Sequence, residues 1–87
     1  MNSSELSFAA WDLVEHCQTW LTPTERNTAF VRLGVGDYND AMVIALRSAT
    51  RAGEPLPDQL LSRLTTLQHV YYFDRDLADL LAAAAQP

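Results

Sequence analysis

The sequence predicts an all-α fold: a small single-domain bundle of four to five helices around a central apolar helix at about residues 37–52. Three observations predict it. Apolar residues recur at helical spacing along most of the chain. No segment alternates apolar and polar residues as a half-buried strand does. Start and stop signals cut the chain into five helix-length segments, at about residues 4–20, 23–33, 37–52, 57–72 and 74–85. With 87 residues, 48% of them hydrophobic, the chain suffices for one core and is too short for two domains. It is read as one helical domain over 1–87.

In the first segment, Leu6, Ala10, Leu13, Val14, Cys17, Trp20 and Leu21 fall on one face at about 100° per residue. Phe8 and Trp11 fall on another face, beside Asp12 and Glu15. Trp11 and Trp20 therefore point to roughly opposite sides of a straight helix, and one core cannot receive both. Cys17 is the only cysteine, so the chain has no internal disulfide, and a small buried residue is the expected role.

The second segment opens on Thr22-Pro23-Thr24-Glu25. Thr22 can cap, Pro23 suits the first helical position, and Glu25 stands where a capping box places an acid. Gly34-Val35-Gly36 reads as its stop. Asp37 can cap the third segment, and Gly53 ends it. Within it, 41–46 (Ala-Met-Val-Ile-Ala-Leu) is apolar on every side, which places this helix, Ile44 included, at the centre of the bundle.

Pro55 and Pro57 stiffen the next connection, with Pro57 near a helix start. The fourth segment puts Leu60, Leu64, Leu67 and Tyr71 on one face, with Leu61 at the margin. Val70 to Phe73 follow without a turn signal, so the helix is expected to run on to about residue 72. Three consecutive aromatics in a helix fan over about 200°, so at least one leaves the core side. Asp74 and Asp76 suit the start of a last helix carrying Leu77, Leu80, Leu81 and Ala84, and Pro87 closes the chain.

The chemistry of sites excludes several functions. The two histidines, His16 and His69, belong to no metal-ligand spacing, and His16 and Cys17 point about 100° apart on a helix. Asp37-Tyr38-Asn39-Asp40 opens like a calcium loop, but the glycine and the closing glutamate of that motif are Met42 and Ser48 here. Gly34-Val35-Gly36 lacks the further glycine and lysine of a phosphate loop. No nucleophile elbow occurs. The chain is read as non-enzymatic, with no metal and no cofactor. The N-terminal residues lack the basic region of a signal peptide, and no stretch reaches the about 20 apolar residues of a membrane span. A cytoplasmic protein without membrane partners is expected.

The net charge is −5, and all six basic residues are arginines, scattered along the chain. That balance opposes binding to a phosphate backbone. Leu21-Thr22-Pro23-Thr24-Glu25-Arg26, followed by Gly36, resembles the opening of the helix-turn-helix domains of LuxR-type regulators over about 16 residues. The capping box accounts for the same residues. Beyond the turn the chain continues as one apolar helix, with no polar recognition helix. Gly36-Asp37-Tyr38, Ala41 and Pro55 resemble the second helix of a tetratricopeptide repeat, without its first-helix signature. No residue roles are carried over from either.

The expected function is a protein–protein interaction module: an adaptor, an inhibitor or an antitoxin-like subunit. Phe8, Trp11, Tyr72 and Phe73 do not fit the core stripes, and aromatics dominate interface hot spots. Asp12 and Glu15 would form an acidic rim around Phe8 and Trp11 and suit a basic protein partner. Self-association through the same patch is a variant of this reading. The alternatives are a nucleic-acid-binding protein using residues 22–52 and a small-ligand carrier with an apolar pocket between helices.

Overall fold

The computed structural model describes residues 4–85; residues 1–3 and 86–87, which include the start weighed as a leader and the closing Pro87, lie outside the described residues. The described residues form five α-helices: α1 (Ser4–Cys17), α2 (Pro23–Gly34), α3 (Tyr38–Ala52), α4 (Asp58–Gln68) and α5 (Arg75–Ala84). A single 3₁₀ turn, Gln18–Trp20, follows α1. Among the described residues there is no strand.

The helix ends follow from local chemistry. The Thr22 hydroxyl accepts from the Glu25 N–H at 3.1 Å while the Glu25 carboxylate accepts from the Thr22 N–H at 2.9 Å, so the capping box is complete. Asp37 caps α3 and Asp74 caps α5 through their carboxylates. Gly36 and Gly53 take left-handed φ values of 83° and 70°, which a Cβ would strain. Each closes a helix by paired bonds: Gly36 N–H to Leu33 O with Asp37 N–H to Arg32 O, and Gly53 N–H to Thr50 O with Glu54 N–H to Ala49 O.

The chain runs up and down five times. Arg51 at the end of α3 donates to Trp20 O and to Glu25, so that end lies beside the α1–α2 link. Asn39 at the start of α3 bonds Tyr72 O and the Asp74 N–H, so that end lies beside the α4–α5 link. One end of the bundle therefore gathers the starts of α1, α3 and α5 with the ends of α2 and α4.

α3 is the central helix and packs on α1, α2 and α5, while α4 packs on α1 and α5. One core cluster joins Leu13, Val14, Met42, Leu46, Leu64 and Leu77, with further small and aliphatic residues around them. The radius of gyration, 11.7 Å, is that of one globule of this length, for which about 12 Å is expected. Cys17 is buried as expected. The thiol lies beside Ser48, and burial pushes its pKa up to about 11, against the lowering effect of the Ser48 hydrogen bond. It is a core residue in the un-ionised form.

Two expectations are corrected. α3 is not enclosed on every side: Asp40, Ile44, Arg47 and Arg51 form an outward stripe at helical spacing, and Ile44 is only half-buried. The fourth neighbour that could cover this stripe, α4, packs instead on α1 and α5. Second, α4 stops at Gln68, not at about residue 72. The Val70 and Tyr71 N–H groups both return to Leu67 O, tightening the last turn, and the chain then leaves the helix. This release lets Phe73 turn inward.

Candidate protein-binding surface

α1 presents the surface. Its inward stripe of Leu6, Ala10, Leu13, Val14 and Cys17 is spent on the core, so the opposite face, with Phe8, Trp11, Asp12 and Glu15, meets solvent. Phe8 is 63% exposed. It stands on the edge of a groove of about 290 Å³ between α1 and α4, lined by Glu5, Phe8, Arg63, Thr66 and Leu67. Such an arrangement offers a wet aromatic ring and a recess for an apolar side chain, the pairing found at interface hot spots.

The other expected contact residues are placed differently. Trp11 is 36% exposed, and its ring lies against Phe30 of α2, with centroids 5.6 Å apart and an interplanar angle of 42°. It is partly a packing residue that joins α1 to α2. Asp12 is held by Arg63 of α4, with Nη1 to Oδ2 at 2.7 Å, so its charge is matched within the chain. Glu15 is exposed and has no ion-pair partner among the described residues. The acidic rim as first drawn is thus half neutralised.

Tyr72 and Phe73 separate. Phe73, 9% exposed, is a core residue and not a contact residue. Tyr72 is 79% exposed. The two separate in a stretch that has left the helix and is anchored on both flanks of Phe73 by one side chain. Asn39 Nδ2 donates to Tyr72 O at 3.0 Å, and the Asp74 N–H donates to Asn39 Oδ1 at 2.8 Å. With Phe73 sunk in the core and its flanks clamped, the Tyr72 ring is displayed from a constrained loop.

Sequence reasoning missed Glu5, Leu67 and Val70 as surface participants. Glu5 and Leu67 line the Phe8 groove, and Val70 is exposed just past α4. Leu67 lies on the predicted core face of its helix, and only the groove geometry gives it a second role. The exposure of Val70 follows from the early end of α4, which the sequence does not signal. Val31 near the end of α2 and Val35 in the turn just past it are exposed too.

Other chemistry is sparse. Among the described residues no group of three His, Cys, Asp or Glu side chains is placed to hold a metal ion. No helix among them is long and apolar enough to cross a membrane. The arginines of residues 22–52 are mostly engaged: Arg32 with Asp40, Arg47 with Asp76 and Arg51 with Glu25. His16 packs edge-on against Trp20 at 5.5 Å between ring centroids.

No family model, curated protein or solved structure matches the chain.

Proposed function

We propose that this chain is a non-enzymatic protein-binding module that recognises its partner through the outer face of α1 and the adjoining groove to α4. The observation that carries this reading is Phe8, exposed beside a recess floored by Leu67. A ring left in water on a rigid helix costs hydration free energy that a partner recovers by covering it. Glu15 and Tyr72 flank the reading as polar and aromatic contacts, while Trp11 acts partly through Phe30 and Phe73 only through the fold. The engaged arginines of residues 22–52 weigh against the nucleic-acid alternative, because paired guanidinium groups release fewer counterions on binding.

The test is capture from source-cell lysate by wild type and by a Phe8→Ser variant whose helicity and melting match wild type. A protein retained in stoichiometric amount by wild type and lost with Phe8→Ser supports the reading. Equal retention by both removes the α1 face from it, and no retained protein removes the reading itself.

A further inference from the structure

The surface extends beyond α1. Six large apolar side chains are exposed among the described residues: Phe8, Trp11, Val31, Val35, Val70 and Tyr72. The up-and-down topology puts five of them toward one end of the bundle, where α1 starts, α2 stops and α4 gives way to α5. Trp11 lies midway along α1. None stands at the other end, where the links 18–22 and 53–57 bury Leu21 and Leu56, half-bury Trp20 and otherwise expose polar residues, Gly53 and two prolines. α1 is flanked by α2 and by α4. The Trp11–Phe30 contact and the Asp12–Arg63 bond fix both neighbours antiparallel to it in the order of the chain, which brings the ends of α2 and α4 level with its first turns. The exposed apolar residues thus surround one helix end and do not dot the whole surface.

Charge distinguishes what can cover that end. Five of the six arginines are ion-paired within the chain: Arg32, Arg47, Arg51, Arg63 and Arg75. Among the described residues Arg26 alone has no such pair, and it sits in the first turn of α2, at the far end. Glu5, on the groove wall at that end, and Glu15, two turns along α1 from Phe8 and level with Pro57 and Gln59 at the start of α4, have no cationic partner among the described residues. A second copy of the chain meeting this face across a two-fold axis would bring acids to acids with no spare arginine to offset them.

Building on the protein-binding reading above, we infer that the occupant is a cationic amphipathic segment of another protein. One of its apolar side chains enters the Phe8–Leu67 groove, and its Lys or Arg residues meet Glu5 and Glu15. A cation-bearing strip laid along α1 from the Phe8–Leu67 groove at the apolar end to Glu15 matches the apolar groove and both glutamates in one contact, whereas a neutral strip leaves the glutamates desolvated and unpaired.

The inference is tested with three synthetic helical peptides that share one Leu/Trp stripe and carry Lys, Gln or Glu at the flanking positions. Binding to the whole protein is read by fluorescence anisotropy at about 50 mM and about 300 mM salt. The Lys peptide is expected to bind about tenfold more tightly than the Gln peptide, and the Glu peptide not to bind. The gap should narrow at high salt. Glu5→Gln/Glu15→Gln should erase the Lys preference while keeping the Gln affinity, and Phe8→Ser should weaken both peptides. Glu54→Gln/Asp79→Gln, away from the α1–α4 face, should change neither, and melting curves confirm that every variant is folded. Equal affinity for the Lys and Gln peptides overturns the charge assignment. An equal loss from the variant away from the α1–α4 face shows only diffuse attraction to an acidic protein and overturns the site. A dimer in sedimentation that Phe8→Ser dissociates makes the occupant a second copy. Lysate capture that depends on Phe8 while no peptide discriminates by charge would leave the binding module standing and remove this inference alone.

Discussion

Glu25 carries more of the fold than its half-buried place at the start of α2 suggests. Its carboxylate closes the capping box of α2 and also takes two bonds from Arg51 of α3, at 2.8 and 2.9 Å. Arg51 in turn donates to Trp20 O at 2.8 Å, so one ion pair fastens the end of α3 to the α1–α2 link. The Arg51 bonds, with the Thr22 N–H, hold the Glu25 pKa down at about 2, well below its ordinary 4.5. The folded state therefore binds this proton less readily than the unfolded state. The stabilisation is complete above about pH 4.5 and is lost as pH falls toward 2. In urea titrations at successive pH values, wild type should be more stable than Glu25→Gln at neutral pH, and the difference should shrink between pH 4.5 and 2. A difference that stays constant over that range would mean the carboxylate charge contributes nothing. Because the Arg51 side chain is about half exposed and that of Glu25 about a third, the effect should also weaken with salt.

At the scale of elements, the α4–α5 link decides which aromatic is buried. A helix carried on to about residue 72 would have spread Tyr71, Tyr72 and Phe73 around its circumference. The actual link, held by Asn39, sends Phe73 into the core and Tyr72 outward. Phe73→Ala should cost about 3 kcal/mol of stability, as expected for removing a buried ring. Tyr72→Ala should leave stability within about 0.5 kcal/mol, as a surface change does, and show itself in partner affinity. Chemical denaturation of the two variants side by side checks the pair; equal losses would mean that Tyr72 also packs. The helix starts were readable in advance because each cap acts within four residues: Thr22 with Glu25, Asp37 with Asp40, Asp74 with Leu77. The end of α4 was not readable, because the group that captures the following loop is Asn39, 33 residues from Tyr72 in sequence.

For the whole molecule, the alternating direction of five successive helices turns scattered apolar residues into a one-ended surface. It also separates two aromatics of α1 that look alike in sequence. Phe8 faces the α4 groove and water, whereas Trp11 braces α1 against Phe30 of α2. Phe8→Ser should leave the stability of the folded protein nearly unchanged or slightly raised, while Trp11→Ser should lower it by about 1–2 kcal/mol through lost burial and ring contact. Thermal and urea unfolding measure both, and a large loss from Phe8→Ser would make Phe8 a packing residue and remove the reason for regarding it as a contact.

The sequence by itself determined the all-helical class, the five helices, most of their ends and the core stripe of each. These follow from the period of 3.6 residues and from caps that act over three or four residues. The outward placement of Phe8 was legible for the same reason. Tertiary structure alone decided that Asp12 is neutralised by Arg63, that Trp11 leans on Phe30, that Phe73 is core and that Ile44 lies on an open stripe. Each depends on which helices become neighbours. Helical periodicity says which way a side chain points, but what it meets there is set by pairings between residues that are far apart along the chain.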